Sequence, residues 1–270
     1  MLTVSNVYKT FNAGTLDQVE ALKGVTLKIE SGSFTVILGT NGSGKSTLLN
    51  AVAGAFVLDS GRIELSGRDI TGLCEHERAD FIGRVFQNPH SGTAPNMSIA
   101  ENLALASKRG QKLRLTQALS AESMARLGER VKNLNMGLED RLENNIGSLS
   151  GGQRQALTLL MSTWNRPELL LLDEHTAALD PKTAAKVLQL TDEIIRRDSL
   201  TTLMVTHSMQ QAINMGDRII MVHKGNIIHD FYGNEKKSLK AKDLYELFED
   251  IKRRELIDPS MAELMKINYV

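Results

Sequence analysis

The stretch FTVILGTNGSGKSTLLNAVA, Phe34–Ala53, places a short apolar run directly before a glycine-rich turn and a segment with helical spacing. Its central residues, Gly39–Thr47, fit G-x-x-x-x-G-K-[ST], a pattern that binds phosphates when a buried strand precedes it and a helix follows it. Both flanks are present, since Phe34–Leu38 predicts the strand and Lys45–Ala53 predicts the helix. A glycine turn with an exposed lysine is the alternative that this context disfavours. The stretch therefore predicts a phosphate loop in an α/β protein.

The residues of this loop have separate expected roles. Gly39, Gly42 and Gly44 let the backbone bend so that its N–H groups face the phosphates, which the positive end of the following helix also attracts. Lys45 is expected to reach the β- and γ-phosphates, and the Ser46 hydroxyl is expected to bind Mg²⁺. The complete expected loop comprises Gly39, Thr40, Asn41, Gly42, Ser43, Gly44, Lys45, Ser46 and Thr47.

A second apolar run, LLLLDE at Leu169–Glu174, ends in two carboxylates. A buried strand delivers its last residues to the carboxyl edge of the sheet, where ligands of open α/β sheets bind. Asp173 is suited to hold Mg²⁺, directly or through water, and Glu174 to orient and polarise the attacking water as a general base. Alone, such a pair would more often be solvated loop carboxylates. Together with the phosphate loop, the pair predicts a nucleotide-hydrolysing site.

A second glycine-rich turn, SGGQ at Ser150–Gln153, opens another predicted helix but carries no lysine. It is also a capping box, in which Ser150 caps the helix and Gln153 reaches back to the N–H of the cap residue. Taken alone, the capping role would be the preferred interpretation. The two roles are nevertheless compatible, because a helix N-terminus also binds anions.

Composition restricts the class of protein. The chain has 270 residues, 41% of them hydrophobic, which is enough for one large globular domain with a smaller appendage. Its 32 basic and 32 acidic residues cancel, so no excess charge draws the whole chain to nucleic acid or anionic lipid. Cys74 is the single cysteine, which excludes an internal disulfide and is compatible with a reducing compartment. The apolar runs are strand-length, below the about 20 residues of a membrane-spanning helix.

The order of elements indicates an α/β fold. Predicted strands are Leu2–Val7, Ala21–Ile29, Phe34–Leu38, Arg62–Leu65, Gly83–Phe86, Leu169–Leu172, Thr202–Val205 and Arg218–His223. Predicted helices are Lys45–Ala53, Gly151–Met161, Lys182–Arg197 and Met209–Asn214, with one helical stretch over Ser98–Met136. The alternation in the second half is typical of a parallel sheet covered by helices. The N-terminus reads as a strand and not as a signal peptide.

The C-terminal part predicts two helical segments. One helical face after Gly233 carries the apolar residues Leu244, Leu247, Phe248 and Ile251. This face is expected to pack on the main domain, in preference to a regulatory or membrane-surface role. Asp258 and Pro259 predict the N-cap and first turn of a final short helix.

The glycine-rich turns and LLLLDE belong to an ordered set of motifs. The set also contains VFQNP at Val85–Pro89, AALD at Ala177–Asp180 and VTHS at Val205–Ser208. In this order the motifs resemble those of the ATP-binding cassette (ABC) ATPases, over nearly the whole chain from Leu2 to Tyr232. Few combinations of motifs indicate a protein family as specifically as this one.

The resemblance implies a particular architecture. Its parts are an α/β P-loop NTPase core with a mostly parallel sheet, an N-terminal antiparallel β subdomain and an inserted α-helical subdomain. Residues 1–235 would form the ABC ATPase domain, with the helical signature subdomain at about 88–160. Residues 236–270 would form a C-terminal helical tail.

In this family two cassettes dimerise head to tail, and each ATP lies between the phosphate loop of one subunit and the signature loop of the other. The resemblance thus assigns the second glycine-rich turn to the partner's nucleotide, where Lys45 and Mg²⁺ of the facing chain already neutralise the γ-phosphate. It implies ATP and Mg²⁺ as cofactors and a second copy of the chain as partner. The signature loop consists of Ser150, Gly151, Gly152 and Gln153.

Further residues match family positions one at a time. Phe11 matches the aromatic residue that stacks on adenine, with Tyr8 as the alternative, and Gln87 matches the glutamine that senses Mg²⁺ and water. Asp180 matches the dimer-interface aspartate, although it also fits a helix N-cap. His207 matches the histidine that contacts the γ-phosphate. The expected catalytic residues are Glu174, His207, Gln87 and Lys45, and the expected metal ligands are Ser46, Gln87 and Asp173.

Two positions depart from the family pattern. His175 stands where proline is usual, and Met161–Trp164 replaces the usual end of the signature helix, but neither change removes a catalytic group. The segment DEHTAALDPKTA, Asp173–Ala184, is similar to a bacterial importer branch linked to tryptophan or tyrosine uptake. The resemblance implies a transporter subunit at the cytoplasmic face of the cell membrane. Its partners would be two transmembrane permease subunits and an extracytoplasmic substrate-binding protein.

Other functions stay open from the sequence. The beginning of the chain also resembles export ATPases for lipids and lipoproteins. A soluble ABC ATPase acting on DNA, ribosomes or iron–sulfur assembly is a second class. A role on DNA or ribosomes is disfavoured by the single cassette, by the absence of a long coiled-coil insertion between Gln87 and Asn145, and by zero net charge. These features predict no nucleic-acid partner. A small-molecule phosphotransferase would leave LSGGQ and His207 without a role.

Overall fold

The structure of the chain is a computed structural model that describes residues 1–111, 119–251 and 253. Its strands are β1 (Leu2–Phe11), β2 (Val19–Ile29), β3 (Phe34–Leu38), β4 (Ser60–Leu65), β5 (Arg68–Asp69), β6 (Ile82–Val85), β7 (Leu169–Asp173), β8 (Thr202–Thr206), β9 (Arg218–His223) and β10 (Asn226–Tyr232). Its helices are α1 (Lys45–Ala53), α2 (Glu75–Arg78), α3 (Ile99–Ser107), α4 (Ala121–Lys132), α5 (Gly151–Thr163), α6 (Pro181–Asp198), α7 (Met209–Asn214) and α8 (Gly233–Ser238). Short 3₁₀ turns lie at Glu139–Arg141 and Ile146–Ser148, and residues 241–251 are helical.

The strands form two sheets. The larger has the order β10-β9-β3-β8-β7-β6 and is parallel except for the antiparallel pair of β9 and β10. The smaller is antiparallel, with the order β2-β1-β4-β5. The predicted α/β class, with a mostly parallel sheet and an antiparallel sheet of N-terminal strands, is confirmed.

Alternating side chains of the central strands explain why the chain builds two cores. In β3, Val36 and Leu38 belong to one buried cluster and Ile37 to the other. In β7, Leu170 and Leu172 alternate in the same way with their neighbours, because successive side chains of a strand point to opposite faces. One cluster joins the large sheet to helices that include α3 to α6, and the other joins it to α1 and the small sheet. Burial on both faces accounts for the uninterrupted apolar runs.

The parallel register brings four motif-bearing segments to one edge of the large sheet. Leu38 of β3 pairs with Thr206 of β8, and Val85 of β6 pairs with Leu172 of β7. The residues directly after these positions therefore emerge from the same carboxyl edge, where ligands of open α/β sheets bind.

The prediction of one helical stretch over residues 98–136 is wrong. The helix α3 ends at Ser107, and α4 begins only at Ala121, with Ser120 as its N-cap. Gly110 between them has a φ of 73°, a conformation that interrupts a right-handed helix. Residues 112–118 lie outside the described part.

The apolar face predicted after Gly233 is present. Leu244 and Phe248 are buried within the cluster that contains Val36 and Leu38, and Leu247 and Ile251 pack against it. The predicted helix start at Asp258 and Pro259 lies outside the described residues. Every helix in the described part of the chain falls short of the length or the hydrophobicity that a membrane-spanning segment requires.

Candidate active site

The phosphate loop lies between β3 and α1, where backbone crowding requires glycine. A Cβ atom on Gly39 would lie 2.4 Å from the Val222 carbonyl oxygen, and one on Gly44 would lie 2.5 Å from the Ala21 carbonyl oxygen. Gly44 also has a φ of 101°, which side chains rarely adopt. The loop is therefore wedged between β2 and β9, with the N-terminus of α1 directed at the carboxyl edge of the sheet.

Lys45 is held inside this loop. Its side chain is 5% exposed, and its Nζ atom donates a hydrogen bond of 2.8 Å to the Thr40 carbonyl oxygen. Burial lowers the pKa of Lys45, while the nearby carboxylates of Glu174 and Asp173 oppose this shift. The loop thus fixes a cation close to the carboxylates of Asp173 and Glu174 at the end of β7.

Ser46 and Asp173 meet at the start of α1. The Ser46 hydroxyl donates a 3.3 Å hydrogen bond to Asp173 Oδ1. Burial raises the pKa of Asp173, whereas Arg84 and the hydrogen bond from Ser46 lower it. A hydroxyl and a carboxylate in direct contact form the kind of hard oxygen pair that Mg²⁺ accepts beside substrate phosphates.

Glu174 is the residue at which three predicted catalytic groups meet. Gln87 Nε2 lies 3.5 Å and His207 Nδ1 lies 3.3 Å from Glu174 Oε2. Glu174 has a φ of 43°, and its N–H donates to the Val205 carbonyl oxygen at 3.0 Å. The strained turn and this hydrogen bond aim the carboxylate across the ends of β6 and β8.

Phe11 lies at the end of β1, beside the phosphate loop. It pairs with Val19, two residues before Ala21, whose carbonyl oxygen lies against Gly44. The residue is 36% exposed, and its ring makes an edge contact with Phe56, with the ring centroids 5.3 Å apart. A partly exposed aromatic ring thus lies near the rim of the loop, with the Lys9 ammonium 5.5 Å from its centroid.

The signature loop forms a separate group at the N-terminus of α5. Its capping box is confirmed, because Ser150 Oγ accepts from the Gln153 N–H and Gln153 Oε1 accepts from the Ser150 N–H, both at 3.3 Å. A Cβ atom on Gly152 would lie 2.0 Å from Thr183 Cγ2, so α5 and α6 touch at their first turns. Asp180 caps α6 by accepting from the Thr183 N–H at 3.1 Å.

The predicted site residues therefore fall into two groups. Lys45, Ser46, Gln87, Asp173, Glu174 and His207 surround one point at the sheet edge. Ser150 to Gln153 and Asp180 surround another, and among the described residues no hydrogen bond or ion pair joins the two groups.

His175, the departure from the family pattern, is buried beneath the turn of Glu174. Its Nε2 atom lies 3.1 Å from the Thr191 hydroxyl, which itself donates to the Val187 carbonyl oxygen. The hydroxyl must accept from His175, so Nε2 carries the proton. Burial lowers the pKa of His175 to about 4, and the ring is neutral near pH 7. The side chain ties the turn after Glu174 to α6.

Two buried polar residues of α5, Arg154 and Gln155, were not predicted from the sequence as functional residues. Arg154 and Gln155 are 3% and 0% exposed, and Gln155 Nε2 donates to the Phe86 carbonyl oxygen at 3.1 Å. Their position within LSGGQRQ is the sole sequence signal, because helical spacing does not reveal which polar residue is buried.

Comparison with known proteins agrees with this geometry. The family model for ABC transporters matches residues 22–177. A tyrosine transport ATP-binding protein of Clostridioides difficile (strain R20291) is 43% identical over 92% of this chain and 99% of its own length. The methionine import ATP-binding protein MetN of Rhizobium etli is 36% identical over 78% of this chain and 56% of its own length.

A solved structure extends the comparison to the fold. The ATP-binding cassette MJ0796, in a dimeric post-hydrolysis state bound to ADP and Pi, superposes with a TM-score of 0.74 at 30% identity, covering 86% of this chain and 98% of the cassette. The resemblance seen in the motifs is confirmed by the family model, the relatives and this superposition together. The chain therefore belongs to the ABC transporter family, as an ATP-binding subunit that hydrolyses ATP.

Proposed function

We propose that the chain drives an importer of aromatic amino acids, foremost tyrosine. It would work as a head-to-tail dimer at the cytoplasmic face of the membrane, beneath two permease subunits that receive cargo from an extracytoplasmic binding protein. The proposed cargo rests on the 43% identity to a tyrosine transport ATP-binding protein over 99% of that relative's length. The methionine import relative supports the direction of transport.

The residues at the sheet edge have distinct roles in the proposed reaction. The amides of Gly39–Thr47 and the Lys45 ammonium bind the phosphates of ATP. Ser46 and Asp173 would hold Mg²⁺, with Gln87 beside them, and the bound ion would neutralise charge on the β- and γ-phosphates. Glu174 orients the attacking water and takes its proton, while His207 contacts the γ-phosphate.

The separation of the two residue groups supports a shared site. Ser150 and Gly151 are exposed at the N-terminus of α5, where free N–H groups and the helix dipole favour an anion. Because this terminus makes no hydrogen bond to the chain's own phosphate loop among the described residues, its anion is best supplied by a second copy. The dimeric state of the MJ0796 cassette supports the same arrangement.

Replacing Phe11 with Ala is expected to weaken ATP binding modestly. An aromatic stack contributes about 0.5 to 1.5 kcal/mol beyond area burial, so affinity should fall about 2- to 13-fold while the phosphate contacts remain. Titration with a fluorescent ATP analogue and with the corresponding inosine and pyrimidine nucleotides measures this. Loss of affinity in Tyr8→Ala but not in Phe11→Ala would identify Tyr8 as the adenine partner.

An open groove of about 510 Å³ between β6, α3 and α5 is the proposed docking surface for a permease segment. Leu105 lines this groove with 58% of its surface exposed, together with the partly buried Phe86 and Met161, so the groove presents apolar surface to a partner.

Leu105→Asp is therefore expected to remove copurification of the permease, because a charge would be buried at the contact. ATP hydrolysis by the isolated dimer should stay unchanged. Tyr245→Asp is the matched control, since Tyr245 is 55% exposed on another part of the chain. Equal permease recovery with both variants would place docking elsewhere.

Uptake into membrane vesicles tests the cargo. Vesicles containing the chain and its copurifying permease should accumulate labelled tyrosine when supplied with ATP, and tryptophan should compete more strongly than methionine. Accumulation of methionine without tyrosine, or ATP-dependent release of lipid, would contradict the proposed cargo.

A further inference from the structure

Arg154 is buried directly behind the signature loop. Its Nε atom donates to the Ile146 carbonyl oxygen at 3.2 Å, and its Nη2 atom donates to those of Gly147 and Leu149 at 2.8 and 3.2 Å. These carbonyls belong to the segment that leads into Ser150. One planar guanidinium thus fixes three peptide groups of the four residues before the signature helix, with a rigidity that a lysine could not provide.

Arg154 also connects this segment to the chain after Gln87. Its Nη1 atom lies 2.7 Å from both ring nitrogens of His90, one of which accepts its hydrogen bond, because a guanidinium only donates. The next residue, Gln155, holds the Phe86 carbonyl oxygen on the other side of Gln87. The first turns of α5 are therefore attached on both sides of the residue that contacts Glu174.

Burial of the charged Arg154 side chain costs desolvation free energy. Its side chain is 3% exposed, and within the described ranges no carboxylate pairs with it. Carbonyl dipoles and the His90 ring compensate the desolvation of the charge. A buried, uncancelled positive charge four residues into α5 adds to the helix dipole at Ser150, and both attract an anion there.

We propose that Arg154 is a positioning residue for the signature loop, and that it acts on the ATP held by the partner subunit. The inference rests on the proposed shared site. Without Arg154, the segment before Ser150 loses its anchor and the loop its buried charge, while the chain's own phosphate loop stays intact. A displacement of about 1 Å can lower a rate by about 100-fold.

Arg154→Met removes the donors and keeps an unbranched side chain of similar length. The homodimer is expected to lose about 10- to 100-fold in hydrolysis. Binding of a fluorescent ATP analogue to the monomer should not change, because Lys45 and its loop are intact. Arg154→Lys serves as a second variant if the Met variant folds poorly, since it keeps the charge but cannot span three carbonyls.

Tagged heterodimers separate a positioning role from a general structural one. Paired with Lys45→Ala, the Arg154→Met chain contributes its intact Lys45 and meets an intact signature loop, so one site should hydrolyse ATP in a single turnover. Paired with Ser150→Arg, both sites contain a damaged signature loop, and hydrolysis should stay at the level of the parent homodimers. This partner dependence is the expected result.

Arg78 offers a matched control. It is 1% exposed and donates to four backbone carbonyls, those of Leu73, Ala51, Val52 and Thr71, away from the signature loop. Arg78→Met should lower thermal stability, yet its heterodimers should recover hydrolysis with both Lys45→Ala and Ser150→Arg.

Wild-type hydrolysis by the Arg154→Met homodimer would overturn the inference. Recovery of hydrolysis by its heterodimers with both partners, or with neither, would overturn it as well. The pair of Lys45→Ala with Ser150→Arg is the reference. If the reference pair recovers and the Arg154 variants do not follow the pattern, only the role of Arg154 is wrong; if the reference pair also stays inactive, the shared site is wrong and the inference fails with it.

Discussion

Glu174→Gln is expected to lower ATP hydrolysis by at least about 100-fold while leaving ATP binding intact. The amide keeps the shape of the side chain and can still contact Gln87 and His207, which lie 3.5 and 3.3 Å from Glu174 Oε2. What it loses is the ability to take a proton from the attacking water. Bound ATP should therefore persist, and with it a closed dimer.

Hydrolysis assays and light scattering after gel filtration in Mg-ATP measure both effects of this variant. Glu101→Gln is the matched control, since Glu101 accepts from the Ser98 N–H at the start of α3 and lies outside the site. It should hydrolyse ATP at the wild-type rate and dimerise only transiently. Undiminished turnover by Glu174→Gln would remove Glu174 from the role of general base.

Lys45→Ala is expected to abolish hydrolysis and weaken ATP binding. A charge-assisted contact contributes about 1.5 to 3 kcal/mol, which corresponds to about 10- to 150-fold in affinity. Because Lys45 is 5% exposed inside the loop, no surface cation can replace it. Nucleotide titration and phosphate release measure the two losses.

Lys236→Ala controls for the removal of a partly buried lysine. Lys236 also donates to a backbone carbonyl, that of Ile213, and burial lowers its pKa as well. This variant should bind and hydrolyse ATP normally. If Lys45→Ala bound ATP as tightly as Lys236→Ala does, the lysine would not contact the phosphates.

The central sheet could be predicted from the sequence because its strands are buried on both faces. The bounds of β3 and α1 match the prediction, since a glycine turn separates an apolar strand from a helix there. The strand β10 was not predicted from the sequence. Lys224 and Gly225, with φ values of 46° and 80°, form the tight turn of the hairpin that joins it to β9. Its mixture of polar and apolar residues resembles a surface loop because β10 is an edge strand of the large sheet in the described part of the chain.

The residues of the candidate site could be predicted where a sequence motif requires a particular residue type for a particular chemical role. Lys45, Asp173 and Glu174 follow from the phosphate loop and the acidic end of a strand, and the structure brings them together. The anchoring of His175 on Thr191 was not predictable, because burial of a histidine depends on which helix covers the loop.

Mixing Lys45→Ala with Ser150→Arg tests the shared site most directly. Each homodimer should be inactive, since both of its sites are defective. In a tagged heterodimer, both defects fall in one site, and the other combines an intact Lys45 with an intact Ser150. Single-turnover assays on heterodimers verified by ATP-dependent crosslinking should then show hydrolysis at one site per dimer. Crosslinked heterodimers that hydrolyse no more ATP than the parent homodimers would contradict the shared site.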